Sequence, residues 1–128
     1  MFSHIMVGAN DIDASRTFYD ATLGALGARG GRTDDHGRLI YMHDGSMFLV
    51  SKPIDGGAAC HANGGTIGFA ASSPEAADAW HAAGLANGGT AIEDAPGVRE
   101  SPFGGLYLAY LRDPAGNKLC AMHRMPKA

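Results

Sequence analysis

Only two cysteines occur in the 128 residues, too few for the disulfide framework that staples small secreted domains. A reduced, cytoplasmic setting is the simpler expectation. Charge of neither sign dominates: ten Lys and Arg against thirteen Asp and Glu leave a formal net of -3, scattered along the chain. The basic clustering that nucleic acid or an anionic membrane surface requires is missing, so neither is an expected partner. No apolar run approaches the length of a membrane span, and Met1 to Asn10 is too short and polar for a secretory signal. Glycine, by contrast, is plentiful, with nineteen residues dispersed between short apolar runs. Hydrophobic residues make up 45% of the chain, enough for one ordinary core. The glycines then mark many short connections rather than disorder.

An internal repeat organises the chain. His4-Ile5-Met6-Val7-Gly8-Ala9-Asn10-Asp11 lies over Thr66-Ile67-Gly68-Phe69-Ala70-Ala71-Ser72-Ser73 at an offset of 62. Each segment is a short apolar run ending in two residues favoured at helix N-caps. The helices that follow are expected to start at Ile12 and at Pro74, where proline suits the first helical position. Ser72 and Glu75 have capping-box spacing. At the same offset Phe18 matches Trp80, Leu23 matches Leu85 and Gly27 matches Gly89. Ser15, Phe18, Tyr19 and Thr22 share one face of the first helix, and Ala76, Ala77, Trp80 and Ala83 one face of the second.

Three candidate strands follow each helix. They run over about 28–33, 38–43 and 46–52 in the first copy, and about 90–94, 106–112 and 118–123 in the second. The last pair in each copy reads as a hairpin, turning at Asp44-Gly45 and at Asp113-Pro114-Ala115-Gly116-Asn117. Aligning those turns equates Tyr41 with Tyr110, Asp44 with Asp113 and Leu49 with Cys120. The expected fold is α+β, two tandem βαβββ modules. One spans approximately 1–53, the other approximately 65–128, with a Gly/Ala-rich linker over 54–64.

Three stretches carry a family resemblance. They are His4 to Asp20, with Asn10-Asp11 and Phe18-Tyr19-Asp20; Gly65 to Ala71; and Tyr110 to Cys120, with Arg112-Asp113-Pro114 and Gly116-Asn117-Lys118. Together they resemble the glyoxalase/bleomycin-resistance/dioxygenase superfamily, the vicinal oxygen chelate fold, over nearly the whole chain. The resemblance implies a curved mixed sheet forming a cup around a ligand, and a homodimer. It also implies metal ligands on the first and last strands of each module, at His4, Leu49, Thr66 and Cys120. The family usually has His at the third place and Glu at the fourth. Leu49 has no donor atom, and Thr66 is a poor ligand beside imidazole or carboxylate. Cys120 as thiolate and His4 are the only two good donors, short of the three protein ligands of a catalytic zinc. The expectation is therefore no cofactor; if a metal binds, zinc, iron, manganese or nickel would sit on His4 and Cys120.

Each residue also has a plainer reading. His4 is a candidate catalytic acid or base, or a hydrogen-bonded core histidine. Cys120 is a candidate nucleophile, though buried filler is the commoner fate of free cysteine. Tyr41, Phe48, Tyr107 and Tyr110 are core aromatics unless they line the pocket with Leu49 and Thr66. The stretch Gly97 to Gly105 is expected to be irregular and to cover the opening. There Arg99 could clamp an anionic group and Phe103 could touch the ligand. Cys60, His61, His36 and His81 are expected on the surface, His43 at a strand end, and His123 facing away from the cup.

Two functions remain open on these grounds. The favoured one is a glyoxalase-like protein that binds a small organic ligand, or does metal-free chemistry, in a cup with a degraded metal site. The alternative is a metal-dependent lyase, isomerase or dioxygenase using His4 and Cys120.

Overall fold

In a computed structural model, residues 1–126 are described; 127 and 128, the end of the expected second module, lie outside them. The chain runs β1 (His4–Gly8), α1 (Ile12–Ala25), β2 (Arg32–Thr33), β3 (Leu39–His43) and β4 (Ser46–Ser51). It then runs β5 (Ile67–Ala70), α2 (Pro74–Ala86), β6 (Thr90–Ala91), β7 (Gly97–Ser101), β8 (Gly104–Arg112) and β9 (Lys118–Arg124). The tandem βαβββ plan is present as two open curved sheets. One has the order β1-β4-β3-β2; the other has β5-β9-β8-β6, with β7 also paired to β8. In each, the strand before the helix pairs in parallel with the last strand of its module, and that last strand closes an antiparallel hairpin.

The helix ends show why these segments fold as they do. Asp11 caps α1 by accepting from the Ala14 amide, and Ser73 caps α2 by accepting from Ala76. Ser73 thus holds the capping role that the Ser72–Glu75 spacing suggested for Ser72. Both helices close with the same reversed bond: Ala28 N–H donates to Leu23 O, and Gly89 N–H to Gly84 O. The left-handed residue is Gly27 in the first copy but Gly88, not Gly89, in the second, because α2 is one residue shorter. Leu85 accordingly points outward and is exposed, while Leu23 is buried.

One core joins the modules. Phe18, Tyr19 and Trp80 are fully buried on the facing sides of the helices and sheets, beside Leu39, Val50, Leu111 and Leu119. Phe18 and Tyr19 meet edge-to-face at 4.9 Å. The helices cross at Gly84, where an added Cβ would lie 2.2 Å from Leu111 and 3.2 Å from Phe18 and Thr22. A buried polar clamp adds to this. The Asp113 carboxylate accepts from Tyr19 Oη at 2.5 Å, from Asn117 Nδ2 and from the amides of Ala115 and Asn117. Asn117 Nδ2 also donates to Gly8 O, tying the second hairpin to the first strand.

Three expectations change. The strands over 28–33 and 90–94 shrink to two residues each. Gly30 and Gly31 precede one, and Glu93, with left-handed φ of 63°, follows the other. The stretch 97–105, expected to be irregular, is largely a strand: β7 pairs with β8 across a Pro102-Phe103 turn. Ser101 Oγ secures that turn, accepting from Phe103 N–H and donating to Gly104 O. Finally, Tyr41 is not the counterpart of Tyr110. Register pairs Tyr41 with Phe48 on the helix side, whereas Tyr110 pairs with Cys120 on the opposite face. Ile40, opposite Leu49, is the true match of Tyr110.

Candidate functional site

Strand alternation sorts the residues singled out from sequence onto two faces. Leu49 stands opposite Met6 and Ile40, and Cys120 opposite Gly68 and Tyr110, all turned away from the helices. Leu49 and Cys120 therefore occupy equivalent places on different sheets, and both are 6% exposed. His4 shares the Leu49 face, two residues along β1, and Thr66 is exposed just before β5. Phe48 and Tyr107 lie on the helix side instead. The Tyr107 hydroxyl is donated to Asp78, the largest cause holding its pKa above the ordinary phenol value. Arg99 on β7 spends its guanidinium on the carbonyls of Gly97 and Asp94. Phe103 projects from the β7–β8 turn, 74% exposed.

The helix-free face does not offer a metal a suitable set of donors. Leu49 supplies none, Thr66 only an alcohol. Burial pushes the Cys120 thiol up, which favours the protonated form that does not attack as a nucleophile. Among the described residues no group of three or more His, Cys, Asp or Glu side chains is arranged to hold a metal ion. Tyr110 beside it is likewise held protonated, chiefly by burial, with Lys118 Nζ over its ring at 5.1 Å and paired to Glu93.

A cavity lies elsewhere, where the two sheets meet below the C-terminal end of α1. It holds about 330 Å³. Phe48, Tyr41 and Phe69 wall it, with Leu23 and Leu26 from α1 and Ile5 and Ile67 from the two edge strands. Phe48 meets Phe69 edge-to-face at 5.3 Å, so one ring from each module forms the floor of the seam. Tyr41 is fixed by donating its hydroxyl to Asp20 at 2.7 Å, and its pKa is raised, by burial first and then by that carboxylate. His4, His43, Asp44, Ser3 and Ser46 stand at the polar end. Ser3 Oγ lies 2.8 Å from His4 Nδ1, and His43 Nε2 lies 3.3 Å from Asp44.

Of the residues expected at the site, this cavity brings together His4, Tyr41 and Phe48. Leu49, Thr66, Cys120, Tyr110, Tyr107, Arg99 and Phe103 lie outside its lining. His43 and Phe69 were not among the expected ligand contacts, whereas Tyr41 was a candidate beside Phe48. The period-two pattern around Phe48 places Tyr41 on its face, but only the folded chain brings Phe69 across from the other module. The remaining histidines are structural or peripheral. His123 bonds Ala71 O, and His81, expected on the surface, is half-buried, with burial lowering its pKa. His36, Cys60 and His61 are exposed.

The chain has no match among curated proteins. Its fold recurs widely in solved structures. A glyoxalase/bleomycin resistance protein from Albidiferax ferrireducens is 56% identical over 97% of this chain and 99% of that one, with a TM-score of 0.94. A glyoxalase/bleomycin resistance protein/dioxygenase family enzyme from Burkholderia phytofirmans is 18% identical over 96% and 98%, with a TM-score of 0.70. Lactoylglutathione lyase from Agrobacterium tumefaciens is 22% identical over 95% and 92%, with a TM-score of 0.66. These last two share the fold. A family model for the same group matches residues 1–121, and the chain belongs to the Glyoxalase/Bleomycin resistance protein/Dioxygenase superfamily.

Proposed function

We propose that this protein binds a small organic molecule without a metal, in the cavity between its two modules. The observation that carries the reading is the Phe48–Phe69 seam: a largely apolar hollow of about 330 Å³ with a few polar groups at one end. Small-molecule sites have this character, and the volume is at the low end of their range, about 300–1,000 Å³. The metal-dependent reading, lyase, isomerase or dioxygenase, needs a third donor beside His4 and Cys120, and no described side chain supplies it.

Elemental analysis of protein purified without chelator, alongside His4→Ala, tests the metal-free part. The expected result is far less than one metal per chain in both proteins. One equivalent of zinc, iron, manganese or nickel that disappears in His4→Ala would overturn it.

The same reading includes a homodimer. Met6 and Met42 are exposed on the helix-free face of the first sheet, and a second copy would shield them. Light scattering is expected to give twice the 13.2 kDa chain mass. A single-chain mass across concentrations would remove this element. A cytoplasmic setting fits the two free cysteines, and no described helix is long and apolar enough to cross a membrane.

A further inference from the structure

We infer that the ligand of the seam cavity is an uncharged aromatic molecule of one or two rings carrying a single hydrogen-bonding group. This deepens the proposed function and rests on its placement of the ligand.

Size comes from the hollow. An apolar cavity of about 150 Å³ accepts one benzene ring, so about 330 Å³ accommodates one ring with a substituent or two fused rings. Shape comes from the walls. Phe48 and Phe69 stand at 81° to each other and Tyr41 is tilted 38° from Phe48, so a flat guest finds a face and an edge at once.

Charge comes from the polar end. Among the described residues, no lysine or arginine lines the cavity. An anion entering it would lose its hydration without a fixed countercharge, which is costly in an apolar site. A cation fares little better, because Asp44, the one acid of the lining, is turned to solvent with its carboxylate beside His43. What the end does offer is hydrogen bonding. His4 and His43 both line this end, His4 with Nδ1 2.8 Å from Ser3 Oγ and His43 with Nε2 3.3 Å from Asp44, and each ring carries a second nitrogen. Such a pair suits a hydroxyl, an amide or a ring N–H.

Three isosteric probes separate the possibilities: benzamide, benzoate and benzamidinium share one shape and differ in charge. Their affinities would be measured by calorimetry at about pH 8, above the ordinary imidazole range. Amide and methyl NMR shifts would report where each probe sits. The expected order is benzamide tightest, with benzoate weaker by on the order of 100-fold. His4→Ala or His43→Ala should weaken benzamide by about fivefold, the loss of one neutral hydrogen bond, and leave toluene unchanged. Both histidines are exposed, so these variants keep the core. Benzoate or benzamidinium binding as tightly as benzamide, with shifts at Phe48 and Phe69, would overturn the ligand class and leave the site standing. Shifts that avoid Phe48, Tyr41 and Phe69 for every probe would overturn the site itself, and this inference with it.

Discussion

Tyr19 joins α1 of the first module to the last hairpin of the second through one hydrogen bond to a buried carboxylate. Its replacement by phenylalanine keeps the ring packed against Phe18 and Phe48 but leaves Asp113 one donor short. Hydrogen bonds to charged groups contribute about 1.5–3 kcal/mol, so Tyr19→Phe should lower unfolding free energy by about that amount in urea titrations. A loss below about 0.5 kcal/mol would mean that the clamp adds little. The same hydroxyl predicts an alkaline weakness. Burial, then the Asp113 charge, raise the Tyr19 pKa well above the ordinary 10, and burial and Asp20 do the same for Tyr41. Past about pH 10 the unfolded chain releases protons that the fold retains. The stability tied to these hydroxyls is therefore whole below that pH and lost as pH climbs toward the folded values. Urea midpoints should fall steeply above pH 10 in the native protein and less steeply in Tyr19→Phe. Equal slopes would contradict the assignment.

At the scale of elements, the helix pair decides how the modules sit. Gly84 lets α1 approach α2 at Phe18 and Thr22, and a methyl there would collide with Leu111. Gly84→Ala should cost about 1–3 kcal/mol by overpacking, despite alanine's better helix propensity, whereas Ala82→Ser on the exposed face should change stability by less than about 0.5 kcal/mol. Thermal melts of the two variants test this; equal melting temperatures would contradict it. Much at this scale was legible in the chain. The apolar 3.6-residue spacing around Phe18 and Trp80 located both helices, and Pro74 and Asp44-Gly45 marked a helix start and a hairpin turn. The pairing partner of β7 was not, because glycine at 97, 104 and 105 and Pro102 mask a strand that exists only by bonding to β8. Nor was the tyrosine register, since the two hairpin turns differ in length and a one-residue slip reverses every face.

For the molecule as a whole, the repeat and the family were readable from short local motifs, but the cavity was not. It belongs to neither module: Phe48 and Tyr41 come from one, Phe69 and Ile67 from the other, and two edge strands not bonded to each other leave the gap. Position in the family pointed to the helix-free face, where Leu49 and Cys120 sit at equivalent places. Side-chain packing points instead to the helix side of the seam, with His4 the residue that borders it. The lack of a metal-donor set among the described residues and the aromatic hollow at the seam both support the proposal that this scaffold holds its ligand by packing and hydrogen bonds alone. The most direct test is a crystal structure of chelator-treated protein soaked with small neutral aromatic molecules. The account predicts ring density in the cavity, packed against Phe48 and Phe69, with a polar atom toward His4 or His43. Density on the helix-free face beside Leu49 and Cys120, with the seam left to solvent, would contradict it.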